Sequence, residues 1–287
     1  MRRKLVVLVL ALCLLVGTLT ACGGGSDVVA IPQPVMLEEP VATYAFGVAF
    51  QRGNTALRDQ IWAALQVLSA DGTVGQIARR WFGNDPTTIP PDPYAIDALE
   101  DVRERETLII GFDPSMAPMS FFDDSGEATG FDIDLALAVA DYYGWTLELH
   151  PIQWADREKE LASGNIDSLW GGVSLTEQIT ERLDHTEPYM ENSQVVVTMS
   201  TAGIRNHRGL RGGTLALLAG SAAQSALVEN SGFQNNLDEI LLEYDLATAL
   251  EALEQGLVDG VLMDFVAAEF FIRTGDVGAF GGRELYP

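Results

Sequence analysis

The sequence predicts an α/β fold built as two similar lobes. Strand-like and helix-like segments alternate along most of the chain, as they do in α/β proteins. One pattern also occurs twice, in ELASGNIDSLWGG (160–172) and ALEQGLVDGVLMD (252–264): a helix end, a glycine, two residues, an aspartate and a strand. The repeat alone is weak evidence, because this order recurs in any α/β protein, but together with the alternation it indicates two lobes. Ligands of such sheets bind beyond the carboxyl ends of the strands, and both repeated strands end in residues suited to ligand binding: Gly171, Gly172 and Ser174 in one and Asp264 in the other.

The start of the chain has the features of a bacterial lipoprotein export signal. MRRK is basic, residues 5–16 are apolar, and this run is too short for a comfortable membrane span. Leu-Thr-Ala-Cys (19–22) resembles a lipobox, which predicts a signal peptide at residues 1–21 and lipidation of Cys22. A free cysteine behind an ordinary secretory signal is the alternative interpretation.

The mature chain is expected to be strongly acidic. Loss of Arg2, Arg3 and Lys4 with the signal leaves 14 basic against 41 acidic residues, so the net charge changes from −24 to −27. Nucleic-acid binding is therefore not expected, because a chain with so large an excess of negative charge cannot neutralise phosphates. Loss of Cys13 leaves one cysteine and hence no disulfide within the chain. The sequence contains no metal-ligand cluster or phosphate-binding loop, so neither a metal nor another cofactor is expected.

The first structural elements follow a predicted tether. Residues 22–43 are rich in Gly, Pro and polar residues and predict a flexible segment, with folded structure from about Ala42. TYAFGVAF (43–50) predicts a strand, and Asn54 predicts the cap of a helix. A second helix is expected to end at Trp81-Phe82-Gly83.

Residues 85–97 predict a linker. Four prolines in DPTTIPPDPY (85–94) exclude a helix or a central strand. TLIIGFD (107–113) then predicts a buried strand that ends at Asp113. FDIDLALAVADYYG (131–144) predicts a helix that glycine terminates.

Six stretches resemble the extracytoplasmic amino-acid-binding proteins of ABC importers, and the resemblance covers nearly all of residues 44–286. The stretches are DGTVGQIARRWFG (71–83), GFDIDLALAVADYYG (130–144), WADREKELASGNIDSLWGGVSLT (154–176), EPYMENSQVVV (187–197), GLRGGTLALLAGSAA (209–223) and VDGVLMD (258–264). The resemblance implies a periplasmic-binding-protein (Venus flytrap) fold, in which two α/β lobes close by a hinge motion on a ligand in the cleft.

The order of these stretches differs from the order in the family. There, the strand like YAFGVAF (44–50) and the helices that end in Trp-Phe-Gly come last, whereas here they come first. We therefore interpret the chain as a circular permutant, a rearrangement that exposed, neighbouring termini tolerate. The alternative is a truncated tandem copy, but no second copy of the ending follows Phe271.

The permutation predicts the boundaries of the lobes. Lobe one would combine residues 44–84 with 98–191 through the linker at 85–97, and lobe two would comprise residues 192–284. The old C-terminal segment would thus stand first in lobe one.

Several site residues follow from positions that match the family. By resemblance, Asp264 pairs with the α-ammonium group of the ligand, although it is also placed to cap the next helix. Gly172 and Ser174 match positions that meet the α-carboxylate through backbone N–H and hydroxyl groups, unless they form an ordinary tight strand end. On lobe two, Gly220, Ser221 and Ala222 are placed to present free N–H groups to an anion, although about half of such turns only turn the chain.

Other candidates are walls of the cleft. Trp154 falls where the family has an aromatic against the ligand side chain, with core packing as the alternative. Trp170, just before Gly171, is a second candidate wall. Asp113 is expected to contact a polar or cationic ligand group, and Met116 lies where an aromatic is common. Plain loop roles are the alternatives for the last two.

The arginine that clamps the ligand carboxylate in the family has no counterpart. Counting without gaps from Thr176, its position holds Ile179, which lacks the bidentate fork of a guanidinium group. Arg182 shares a helical face with Ile179 and is either its replacement or a solvated surface charge. If Arg182 lies outside the cleft, the sequence does not support a standard α-amino acid as the ligand.

The resemblance implies a monomeric, lipid-anchored protein on the outer face of the cytoplasmic membrane. It would bind an amino acid or a similar small polar solute and deliver it to an ABC permease. A sensor that signals to a receptor and a cyclohexadienyl-dehydratase-like enzyme are the alternatives. No enzyme is expected, because catalysis needs a placed acid or base and none of His150, His185 and His207 ends a predicted strand at the cleft.

Overall fold

Two mixed sheets, a small antiparallel sheet of three strands (Ser115–Met116, Ser120–Phe122 and Ala128–Thr129) and the helices packed on them form the fold of this computed structural model, which describes residues 31–99, 102 and 104–281. The predicted signal peptide, Cys22 and residues 282–284 of the predicted second lobe lie outside the described residues. The strands are β1 Pro34–Met36, β2 Ala42–Phe46, β3 Ala49–Phe50, β4 Thr107–Phe112, β5 Ser115–Met116, β6 Ser120–Phe122, β7 Ala128–Thr129, β8 Thr146–Pro151, β9 Ser168–Trp170, β10 Asp184–His185, β11 Met190–Met199, β12 Thr214–Leu218, β13 Glu239–Glu243 and β14 Gly260–Asp264. The helices are α1 Thr55–Ala70, α2 Thr73–Phe82, α3 Phe131–Tyr143, α4 Arg157–Ser163, α5 Glu177–Arg182, α6 Ala222–Glu229, α7 Ser231–Gln234, α8 Leu246–Glu254 and α9 Phe265–Thr274.

The sheet of lobe one has the strand order β10-β3-β9-β4-β8. β4 runs parallel to β8 and β9, and β3 is antiparallel to its neighbours. The apolar face of α1 packs against this sheet through Ile61 and Leu65, which are fully buried together with Phe131 of α3. The spacing of apolar residues in the α1 sequence therefore predicted the helix face that packs in the core of lobe one.

The sheet of lobe two has the strand order β1-β11-β14-β12-β13, and β2 also pairs with β11. β12 is parallel to β13 and β14. One face packs against α8 and α9 through a cluster that includes Leu250 and Phe271, and the other face packs against α6. In the part of the chain that the structure describes, no helix combines the length and apolar content that a membrane span requires.

A pair of antiparallel strands connects the lobes. β2 pairs with residues 190–194 of β11, and the rest of β11 pairs with β14 and β1 in lobe two. After two residues β2 is followed by β3, which belongs to the sheet of lobe one. The two crossings are therefore hydrogen-bonded to each other, which is an arrangement suited to a hinge.

The segment that the sequence predicts as a tether contains ordered backbone. Pro34, Val35 and Met36 form β1 on β11, and the next N–H group, of Leu37, donates to the Val196 carbonyl at 2.9 Å. The cause is apolar burial, because the Leu37 side chain is 3% exposed. The composition of residues 22–43 did not indicate β1, because the strand is short and prolines flank its apolar residues.

Candidate functional site

A cleft lies between the lobes, at the carboxyl ends of β4, β9, β12 and β14. This is where parallel strands of an α/β sheet place a ligand. Its lining residues are Asp113, Met116, Trp154, Arg157, Gly171, Gly172, Ser174, Thr176, Gln178, Ile179, Leu218, Gly220, Ser221, Ala222, Ser225 and Asp264. Nine of the eleven predicted ligand-binding residues are among them, and the exceptions are Trp170 and Arg182.

Asp264 is a buried carboxylate held by three donors. Its Oδ1 accepts hydrogen bonds from Asn192 Nδ2 at 2.5 Å, Gln194 Nε2 at 2.7 Å and Ser174 Oγ at 3.4 Å. The side chain makes no capping bond to α9, so the alternative role as a helix cap is not realised. No other described residue donates to Oδ2, which leaves that oxygen for a ligand.

The same carboxylate makes ligand affinity depend on pH. Burial raises the pKa of Asp264 to about 6, although the amide donors of Gln194 and Asn192 lower it. A cationic ligand group needs the ionised carboxylate, so affinity should fall about tenfold between pH 7.5 and pH 5. Calorimetric titration at the two pH values measures this change.

The ligand-free protein should show the opposite trend in stability. The folded pKa of Asp264 lies above the unfolded value, so the folded state binds more protons and gains stability as pH falls from about 6 to 4. The Asp264→Asn variant removes this contribution and serves as the control. An affinity that is the same at both pH values would contradict the assignment.

Asp132, which the sequence did not single out, holds the loop after β9. It is fully buried, and its Oδ2 accepts the N–H groups of Gly171 at 2.8 Å and Gly172 at 2.7 Å and the Tyr189 hydroxyl at 2.7 Å. Burial raises the pKa of Asp132 to about 6 against these three donors. The Gly172 N–H therefore bonds to Asp132 and is not free for a carboxylate, contrary to the expectation from sequence.

The two glycines of this loop are required by its shape. Gly171 and Gly172 have φ angles of 100° and 73°, which side chains rarely allow. A Cβ atom on Gly171 would lie 2.3 Å from the Ser120 hydroxyl, and one on Gly172 would lie 2.9 Å from the Met116 side chain. The backbone of this loop can thus lie close to the cleft.

Trp170 is not a wall of the cleft. Its side chain is 1% exposed and packs in the core of lobe one, with Nε1 donating to Ser168 Oγ at 3.0 Å. Strand alternation directs its side chain into this core and not into the cleft. Trp154, in contrast, lines the cleft, and the guanidinium carbon of Arg157 lies 4.8 Å from its ring centre.

Asp113 is a second buried carboxylate at the cleft. Its Oδ1 accepts the N–H group of Ser115 at 2.9 Å and the hydroxyl of the same residue at 2.6 Å. Burial raises its pKa, and these two hydrogen bonds partly offset the rise. Met116 lines the cleft beside it.

The turn before α6 offers fewer free N–H groups than the sequence indicates. The Ser221 N–H donates to the Leu218 carbonyl at 3.3 Å, and the Gly220 N–H donates to Gln224 Oε1 at 2.8 Å. Ala222 is the first residue of α6, so its N–H group has no partner within the helix. The Ala222 N–H group thus remains a hydrogen-bond donor for an anion at this end of the cleft.

Comparison with known proteins identifies the family. The family described as bacterial extracellular solute-binding proteins, family 3, matches residues 108–256, which is just over half of the chain. The chain belongs to this family. The L-cystine-binding protein TcyJ of Escherichia coli K12 is 28% identical over 188 residues, which are 64% of this chain and 69% of that protein.

Solved structures of two-lobed amino-acid-binding proteins share the fold. A substrate-binding protein of an ABC uptake transporter from Streptococcus pneumoniae, with bound histidine, has a TM-score of 0.57 and 34% identity over 62% of this chain and 76% of its own. The ancestral amino-acid-binding protein AncCDT-1, a precursor of cyclohexadienyl dehydratase, has a TM-score of 0.56 and 27% identity over 60% of this chain and 75% of its own. The α/β fold with two lobes and the solute-binding family are thus confirmed.

Within this solute-binding family, the chain departs from the expected carboxylate clamp. Ile179 lines the cleft and is 4% exposed. Arg182 does not replace it, because its side chain is 56% exposed and pairs with Glu158 at 3.3 Å. Arg182 is the last residue of α5, and its side chain pairs with the partly exposed Glu158 instead of lining the cleft.

Arg157 is the basic residue that the sequence interpretation missed. It lines the cleft and is only 6% exposed. The spacing could have indicated its place in the cleft, because Arg157 follows the candidate wall Trp154 by three residues. The sequence did not indicate that Arg157 is buried, because most charged residues of such a chain are exposed. Asn192 and Gln194, which fix Asp264, were missed because they lie about 70 residues before it in the chain.

Proposed function

We propose that this protein is the lipid-anchored substrate-binding protein of an ABC transporter. It captures an amino acid or a similar small polar solute in the cleft and delivers it to a membrane permease. The observation that carries the proposal is the Asp264 carboxylate, whose Oδ1 is held by three donors while Oδ2 remains for a cation. An α-ammonium group at this oxygen would form a charge-assisted hydrogen bond in a site sheltered from water.

The cleft also favours a ligand with a second donor or cationic group. Asp113 presents a buried carboxylate from lobe one, and Asp264 presents one from lobe two. Two buried acids are costly unless donors or cations meet them, and a ligand that meets both stabilises the closed state. The solved neighbour with bound histidine supports a ligand of this kind.

A thermal-shift panel tests the function. The purified protein is heated with each of the common amino acids and with ectoine-like and polyamine solutes. A ligand present at 100 times its dissociation constant stabilises the folded state by about 2.7 kcal/mol, so one amino acid or a related group should raise the melting temperature by several degrees. A folded protein that no amino acid stabilises would contradict the proposal.

We also propose that the chain is circularly permuted, with the lipid anchor at Cys22 and with the lobe boundaries given above, to which β1 adds one strand of lobe two. The family match starts at residue 108, and the neighbours align with only 60–63% of the chain. Yet β3, α1 and α2, which precede residue 108, are integral to lobe one. A segment moved from the end to the beginning explains both observations, because a sequential alignment cannot include it.

A sensing role remains the closest alternative, since it uses the same cleft and differs only in the membrane partner. Copurification with an ABC permease rather than with a receptor distinguishes the two. We do not propose an enzyme, because the neighbour related to a dehydratase is itself an amino-acid-binding protein.

A further inference from the structure

We propose that Arg157 and the N–H group of Ala222 bind the anionic group of the ligand in the cleft. They would replace the family's arginine, whose position in this chain is occupied by Ile179. The inference rests on the proposed function and specifies how the ligand is oriented. The α-carboxylate would lie between Arg157 of lobe one and the start of α6 in lobe two, while the α-ammonium group meets Asp264.

The Arg157 guanidinium is held in place by Trp154 but does not use all of its hydrogen-bond donors. Nη1 donates to the Trp154 carbonyl at 2.8 Å, and the group lies over the Trp154 ring. Nε is buried and has no hydrogen-bond partner. Among the described residues, no carboxylate forms an ion pair with Arg157, and its neighbour Glu158 pairs with Arg182 instead. A buried cation with an unused donor at the wall of a cleft is suited to receive an anion.

Arg157 also reaches across the cleft. A Cβ atom placed on Gly220 of lobe two would lie 3.8 Å from Arg157 Nη1. Ala222, two residues further on, begins the eight-residue helix α6. A carboxylate at this point would contact donors of both lobes and the positive end of a helix dipole. It would therefore stabilise the closed arrangement of the lobes.

The alternative is that Arg157 only supports Trp154. That role does not explain why the guanidinium is buried without a counter-ion, since a neutral side chain stacks on an indole ring at lower desolvation cost. Burial lowers the pKa of Arg157, and the nearby charges of Glu158 and Asp113 offset part of this shift without forming an ion pair with it. Replacing Arg157 by an apolar residue of similar length should thus not destabilise the ligand-free protein.

The test compares ligands with and without a carboxylate. The ligand is the amino acid that gives the largest thermal shift, and the probe is its α-carboxamide, which keeps the ammonium group. We expect wild type to bind the acid at least about 100-fold more tightly than the amide. In Arg157→Gln and Arg157→Met, affinity for the acid should fall by a similar factor, and the two ligands should bind almost equally. Arg182→Gln, which removes an exposed arginine, is the matched control and should behave like wild type.

The melting temperature of each ligand-free variant shows whether it is folded. We expect Arg157→Met to melt at or above the wild-type temperature while it loses acid-over-amide preference. Unchanged preference in a folded Arg157 variant would overturn the clamp and leave the proposed function intact. A wild-type protein that binds no amino acid would overturn the proposed function itself, and the clamp with it.

Discussion

Replacing Asp264 by asparagine should weaken binding of the amino-acid ligand by about 100- to 1000-fold. The substitution keeps the size of the side chain and one oxygen that can accept from Asn192 and Gln194, but it removes the charge that faces the α-ammonium group. Calorimetric titration of the purified variant at pH 7.5 measures the loss. The effect is large because the lost counter-charge is buried and water cannot replace it.

A matched control separates this local effect from the overall acidity of the chain. Asp141→Asn removes one negative charge from an exposed position of α3 and should leave affinity unchanged. The ligand-free Asp264→Asn variant should melt at or above the wild-type temperature at pH 7.5, because it no longer buries an uncompensated charge. A folded Asp264→Asn variant with an affinity within about threefold of wild type would disprove the role of this carboxylate.

Replacing Asp132 by alanine should destabilise the protein by about 3 kcal/mol or more. The change leaves three donors without an acceptor: the buried N–H group of Gly171, the buried Tyr189 hydroxyl and the part-buried N–H group of Gly172. For a chain of this size, the loss corresponds to a decrease of about 10 °C in melting temperature. Differential scanning calorimetry of the ligand-free protein measures it.

Asp134→Ala is the control for this prediction, because it lies in the same helix and is partly exposed. Its carboxylate accepts from Arg80 and Trp81 near the surface, so water can replace part of what is lost. We expect Asp134→Ala to cost about 1 kcal/mol. If Asp132→Ala costs no more than this control, the Asp132 carboxylate is not what holds the glycine loop.

The sequence predicted most positions of the cleft because strand ends determine them. Asp113 follows β4, Gly171 follows β9 and Asp264 ends β14, so recognition of a buried strand was enough to place each residue at the same edge. Being at a strand end did not predict where Trp170 lies, because successive side chains of a strand point in opposite directions and Trp170 points into the core.

Sequence patterns did not predict the hydrogen-bond partners of the cleft residues. Asp132 bonds to a loop about 40 residues away, and Gln194 bonds to Asp264 about 70 residues away. Such pairs depend on how helices and strands pack, which hydrophobic periodicity does not specify. Arg157 shows the same limit, since only its burial distinguishes it from Arg182.

A crystal structure of the protein with the ligand that gives the largest thermal shift would show how Asp264 holds it. We expect an amino acid in the cleft, with its ammonium nitrogen about 2.7–3.2 Å from Asp264 Oδ2. A ligand bound outside the cleft, or one whose ammonium group faces away from Asp264, would contradict this expectation.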